Sequence, residues 1–154
     1  MPRPDLITWN NGLHDISTAD LGHHRTAIPQ YQSNLRAIGK KLLASGARVI
    51  FFTTTNVPVH AKDRREADVL AYNDAARAVM RELGIPVYDL GGFSEGLTRH
   101  HLGNERQDDV HYHRRGNNRL AHFVAQAIRK ELKSAGKGQC VGWPGAKELW
   151  EQIK

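Results

Sequence analysis

Three short apolar runs, each closed by polar residues and set apart by a stretch of helical periodicity, constrain this 154-residue chain more than any other feature. Leu6-Ile7-Thr8-Trp9 is the first, Val49-Ile50-Phe51-Phe52 the second and Pro86-Val87-Tyr88-Asp89-Leu90 the third. Runs this short, rich in β-branched and aromatic residues, read as buried strands. After the first, Pro29 opens a segment in which Tyr31, Leu35, Ile38 and Leu42 recur at helical spacing, and Gly46 stops it. After the second, Ala67 to Leu83 turns Val69, Tyr72, Ala76, Val79, Met80 and Leu83 to one side, and Gly84 ends the pattern. Gly91 to Gln107 reads as irregular and polar. A last helix from about Arg114 to Ser134 would bury Leu120, Phe123, Val124, Ile128 and Leu132. Strand–helix alternation with crossovers of this length predicts a layered α/β fold on a parallel sheet.

Length allows one domain with a water-excluding core. It is expected over residues 1–135, with 136–154 a glycine-rich link followed by a short docking segment bearing Trp143, Trp150 and Ile153. The formal charge of +6 is spread over the chain without a basic block or an aromatic RNA-binding signature, so nucleic acid is not an expected partner. Cys140 is the only cysteine, which rules out an intrachain disulfide. No apolar run approaches the ~20 residues of a membrane span, so no membrane partner is expected. The start, Met1-Pro2-Arg3-Pro4, has no signal-peptide pattern, which makes the cytoplasm the default expectation.

Chemistry concentrates in two polar motifs. Asn10-Asn11-Gly12-Leu13-His14-Asp15 closes the first strand, and Asp108-Asp109-Val110-His111 precedes the last helix. In open parallel sheets, the carboxyl ends of the strands are where ligands bind. A carboxylate three residues before a histidine can orient the imidazole and stabilise its protonated form during acyl transfer. The same pair can also be a helix cap beside a core histidine.

The string Asp108-x-Val110-His111-Tyr112, followed by Gly116-Asn117, resembles the C-terminal block of the SGNH (GDSL-type) hydrolases. Gly12-Leu13-His14-Asp15 after its strand resembles that family's third block, with His14 in place of the block's asparagine. Resemblance extends over about residues 5 to 133. It implies a flavodoxin-like three-layer α/β/α sandwich lacking its N-terminal portion. It implies an acylesterase acting on small-molecule or carbohydrate esters, with His111 as base and Asp108 as its orienter. Oxyanion or substrate contacts would fall to Asn11, Gly12 and His14, with Asn10 as a nearby donor. The family's nucleophile block, Gly-Asp-Ser, is missing: Ser17, Ser33, Ser45, Ser94 and Ser134 all lie in other contexts. The resemblance therefore implies a chain that is inactive or very weak alone. The alternative is a non-catalytic protein that keeps the fold and binds a ligand or partner in the old cleft.

Two lookalikes compete. Gly92-Phe93-Ser94-Glu95-Gly96 matches the Gly-x-Ser-x-Gly elbow, which makes Ser94 a lower-ranked nucleophile; a plain glycine-rich loop is the preferred reading. His100, His101, His111 and His113, with Asp108 and Asp109, offer metal-ligand chemistry but no zinc spacing, so no metal or other cofactor is expected. With strands one and two of the fold absent, the first strand would have an open edge. Self-association through that edge or through the C-terminal tail is therefore expected.

Overall fold

The computed structural model describes residues 4–19, 21–59, 61–99 and 110–134. Strand β1 (Leu6–Asn10), helix α1 (Ile28–Ala44), strand β2 (Arg48–Phe52), helix α2 (Glu66–Leu83), strand β3 (Val87–Tyr88), helix α3 (Leu90–Arg99) and helix α4 (Arg114–Ser134) follow in that order. The three strands are parallel and lie in the order β1-β2-β3. Leu6 pairs with Arg48 and Asn10 with Phe52.

That register sorts the strand residues between two layers. Trp9, Val49 and Phe51 face one side, where they pack with Tyr31 and Leu35 of α1 and with Val69, Tyr72, Val79 and Met80 of α2. Ile50 and Phe52 face the other side, against Phe123, Val124 and Ala127 of α4 and Leu90 of α3. Helices thus cover both faces, the arrangement a parallel sheet needs. The result is a three-layer α/β/α sandwich.

Four sequence expectations are corrected. The segment after the third strand is not irregular throughout: Leu90–Arg99 is α3. Its apolar side chains Leu90, Phe93 and Leu97 recur at helical spacing, and Phe93 stacks on Phe123 of α4 at 4.8 Å. Its glycines serve closeness rather than looseness. A Cβ on Gly91 would stand 2.6 Å from the Thr54 carbonyl oxygen, so only glycine lets α3 seat against the end of β2. The third strand shrinks to Val87–Tyr88, because Asp89 turns back to accept from the Gly92 N–H at 3.0 Å and so starts α3.

In α1, Ile38 is exposed at 38%, and the buried stripe is instead Tyr31, Leu35 and Gly39. Trp9 and Leu83 crowd the Gly39 position, which leaves no room there for a side chain. In α4, the predicted stripe of Leu120, Phe123, Val124, Ile128 and Leu132 is only half-buried; Gly116, Ala127 and Glu131 are the buried residues. Glu131 is held there by Arg48 of β2 and by the Tyr88 hydroxyl at 2.5 Å. Tyr88 is pushed up to about 12 by burial first and then by the Glu131 carboxylate, so it remains a neutral donor to Glu131.

The 136–154 segment and its proposed docking residues lie outside the described residues, as do Asp20, His60, His100, His101, Asp108 and Asp109.

Candidate active site at the carboxyl ends of the strands

Asn11 of the first polar motif and Tyr112, which follows His111, both fasten to the exit of β2. Thr53, Thr54 and Asn56 are almost fully buried polar residues, and each has partners that account for its burial. Thr53 Oγ1 donates to Asp89 Oδ1 at 3.0 Å and accepts from the Gly91 N–H at 2.8 Å. The Asn73 side chain clasps the Thr54 backbone from α2: its Oδ1 accepts from the Thr54 N–H at 2.8 Å, and its Nδ2 donates to the Thr54 carbonyl at 2.9 Å. Asp89 lies below the usual carboxylate range. Burial pushes it upward, but the Gly92 N–H, Arg77 and Thr53 outweigh burial.

The first motif is fastened to this exit through Asn11. Its carbonyl accepts from Thr54 Oγ1 and from the Tyr31 hydroxyl, both at 2.9 Å. Burial, followed by the charge of Asp15, raises Tyr31 well above an ordinary phenol, so it stays a neutral donor. The Asn11 side chain is oriented too: Oδ1 accepts from the Trp9 indole N–H at 2.6 Å, which leaves the amide NH2 as the end able to donate elsewhere. Asn10 spends its amide across the sheet, with Nδ2 on the Phe52 carbonyl at 2.8 Å. Of the two asparagines, Asn11 is thus the one whose amide NH2 is not spent on the sheet. His14 is exposed on the turn that follows.

Gly12 makes the crossing possible. Its φ of +138° is a conformation L side chains avoid, and an added Cβ would stand 2.4 Å from Thr54 Oγ1. Gly12→Ala is expected to destabilise the chain by roughly 2–4 kcal/mol, combining backbone strain with overpacking. Gly22→Ala, at φ +65° with open space around it, serves as a control costing about 1–2 kcal/mol. Urea unfolding of both variants checks this; equal losses would contradict the close contact with Thr54.

The second motif reaches the same exit through Tyr112. Its buried hydroxyl donates to Asn56 Oδ1, and the Asn117 amide holds the Tyr112 carbonyl at 3.0 Å from inside α4. Val110 packs against the core cluster that also receives Leu13. His111, between these two anchors, is exposed to solvent at the carboxyl end of the sheet. Asp108, its expected orienter, lies outside the described residues. Thr54 and Asn56 have no role in the sequence reading, where a polar run emerging from an apolar strand is their only signal; Asn73 enters there only as part of the helix that fits the family resemblance.

Ser94 does not sit on a strand-to-helix elbow. It lies within α3, fully buried, donating to the Gly91 carbonyl at 2.7 Å and accepting from the Asn56 N–H at 3.0 Å. Ser17 is likewise buried, with its hydroxyl on Asp63 Oδ2 at 2.5 Å. Among the described residues no group of three or more His, Cys, Asp or Glu side chains could hold a metal ion, and no helix is long and apolar enough to cross a membrane.

Asn11, with its oriented amide, and the segment that carries His111 are thus fastened to one strand exit. The profile of the GDSL-like lipase/acylhydrolase family matches residues 2–130. The chain belongs to that family.

Solved structures agree on the fold of this GDSL-like chain. An acetyl xylan esterase, AlAXEase, superposes with a TM-score of 0.69 at 19% identity, over 82% of this chain and 68% of that one. A mutant acetyl-xylooligosaccharide esterase from Geobacillus stearothermophilus gives 0.65 at 20% identity, over 82% and 60%. The lipase/acylhydrolase from Enterococcus faecalis gives 0.64 at 18%, over 81% and 61%. The chain thus spans about three-fifths to two-thirds of the length of these structures. Two further structures of the Geobacillus enzyme are described as catalytic mutants, one with a serine and one with an aspartate replaced by alanine. No curated protein matches the chain.

Proposed function

We propose that this chain carries the base half of an ester hydrolase that removes acyl groups from carbohydrate esters. His111 is the general base, Asp108 holds its imidazole, and Asn11 heads the oxyanion contacts, with Gly12, His14 and Asn10 beside it. One observation supports this above the rest: Thr54 and Asn56, two residues apart on one strand exit, fasten the Asn11 motif and the His111 motif respectively. The acyl-ester chemistry of the family and the acetylxylan esterases of the same fold support the substrate class.

The reaction needs a nucleophile. His111 would take the proton from a serine hydroxyl as its oxygen bonds to the acyl carbon. It would then return that proton to the sugar oxygen as the ester bond breaks, and water would release the acyl group by the same steps. None of this chain's serines suits the first step. Ser17 and Ser94 are buried and bonded, and Ser45 and Ser134 end α1 and α4 near the amino end of β2, where Glu131 meets Arg48. Ser33 lies in α1, the helix that covers one sheet face. The nucleophile therefore comes from a polypeptide segment other than these, and the open side of β1 is where such a segment would join the sheet.

Complementation tests this. The purified chain is mixed with the serine-bearing N-terminal portion of the Geobacillus acetylxylan esterase, and acetate release from acetylated xylo-oligosaccharide is followed. Activity that appears on mixing and disappears with His111→Ala is expected. A mixture that associates and remains inert would return the chain to the second reading, a ligand- or partner-binding protein without catalysis. The burial of Ser17 and Ser94 favours that reading when the chain acts alone.

A further inference from the structure

Ser94 is buried in α3 and stands outside the proposed acyl-transfer chemistry. Its hydroxyl nevertheless links α3 to the site. It donates to the Gly91 carbonyl at 2.7 Å and accepts from the Asn56 N–H at 3.0 Å. Asn56 in turn receives the Tyr112 hydroxyl, on its carbonyl at 3.3 Å and on its side-chain Oδ1. A buried line of polar groups therefore runs from α3 across the exit of β2 to the residue beside His111.

Both ends of that line are fastened. At the α3 end, the Gly91 N–H donates to Thr53 Oγ1 at 2.8 Å, so both backbone groups of Gly91 are engaged. At the other end, the Asn117 amide donates to the Tyr112 carbonyl at 3.0 Å, and the Asn117 N–H donates to the His113 carbonyl at 2.8 Å. Phe93, the neighbour of Ser94, stacks on Phe123 of α4.

The polar line adds what the apolar contact does not. Stacked rings tolerate small slides, whereas a phenol on an amide oxygen accepts a narrow range of distance and angle. Ser94, Asn56 and Tyr112 are at most 6% exposed, so a broken bond here costs more than one at the surface. The line specifies where Tyr112 lies and, one peptide bond away, where the backbone of His111 lies. Catalytic groups need such a hold, because a displacement of about 1 Å can cost on the order of a hundredfold in rate.

We propose that Asn56, backed by Ser94, is a positioning residue that holds His111 through the Tyr112 hydroxyl. The catalytic use of that hold rests on the reading of His111 as the base; the hold itself does not. The test is therefore made first on the whole chain without substrate, by backbone order parameters from NMR relaxation.

Tyr112→Phe keeps the ring and removes only the hydroxyl, so the variant should fold. The His111 amide is expected to fall from an order parameter of about 0.85 to about 0.6 or below. His24, tied to Asp68 at 3.2 Å and edge-on to Tyr72, should keep the parent's value. Asn56→Ala should loosen His111 in the same way, Ser94→Ala should loosen it less, and Asn56→Asp should restore most of the order by keeping an acceptor. In the complemented enzyme, Tyr112→Phe should lower kcat roughly tenfold to a hundredfold and leave KM within about twofold. An unchanged His111 amide in Tyr112→Phe and Asn56→Ala, equal loosening at His24, or Asn56→Asp no better than Asn56→Ala would overturn the proposal. Complete loss of turnover in Ser94→Ala would overturn it too, by making Ser94 a nucleophile. Because order is measured without an ester, an inert complementation mixture counts against the acyl-transfer reading alone.

Discussion

The purified 154-residue chain is expected to hydrolyse p-nitrophenyl acetate about a million-fold more slowly than a hydrolase with a complete triad, and a fluorophosphonate probe should leave it unlabelled. Removing the serine of such a triad costs about that factor in kcat, with only oxyanion and binding effects surviving. In the proposed function the surviving parts are the Asn11 amide and the His111 imidazole, carried by segments that Thr54 and Asn56 fasten to the exit of β2. The two serines nearest these parts in the fold cannot take over. Ser94 is fully buried within α3 and Ser17 is 2% exposed, and exposing either would break hydrogen bonds to buried partners. Robust turnover abolished by His111→Ala, or stoichiometric labelling mapped to Ser94, would refute the assignment of the missing nucleophile.

How far the sequence carried this reading depended on which interactions were local. Strand and helix periodicity placed β1, β2, α1, α2 and α4 because each is set by its own apolar spacing. The helix α3 escaped notice because three of its ten residues are glycine, which counts against helix when propensity is judged locally. Its cause is tertiary: the backbone must come close to Thr54, and Gly91 permits it. Ile38 was misplaced for a related reason, since Gly39 yields its space to Trp9 and Leu83, and no spacing rule lets a glycine occupy an inward position.

The candidate site was legible as two motifs but not as one place. What joins them is a set of hydrogen bonds across long sequence separations, Thr54 to Asn11 and Tyr112 to Asn56, through side chains that carry no chemistry of their own. The sequence also left Asn10 and Asn11 equivalent as donors. The Trp9 indole and the Phe52 carbonyl separate them by engaging opposite ends of the two amides.

Self-association of the chain is the second large expected effect, and it arises at β1. Among the described residues β1 pairs with β2 alone, so its other side presents the N–H and C=O groups of Leu6–Asn10 without a neighbouring strand. The burial contrast marks the same side. Val49 to Phe52 of β2 are at most 3% exposed, whereas Thr8 and Asn10 of β1 are exposed and Leu6 and Ile7 only half-buried. The apolar stripe of α4, which packs on this part of the sheet, is half-buried as well. No lysine or proline within β1 blocks pairing by a further strand. A second copy supplies both a strand and an apolar face, so light scattering at micromolar concentration should give at least twice the 17.3 kDa of one chain. Thr8→Lys puts a charge on the exposed side of β1 and should shift the population toward monomer without unfolding it. The serine-bearing segment of the complementation assay should do the same, because it would compete for this edge. A 17.3 kDa particle that unfolds cooperatively at these concentrations would show that β1 is covered within a single chain. An oligomer indifferent to Thr8→Lys would place the contact elsewhere.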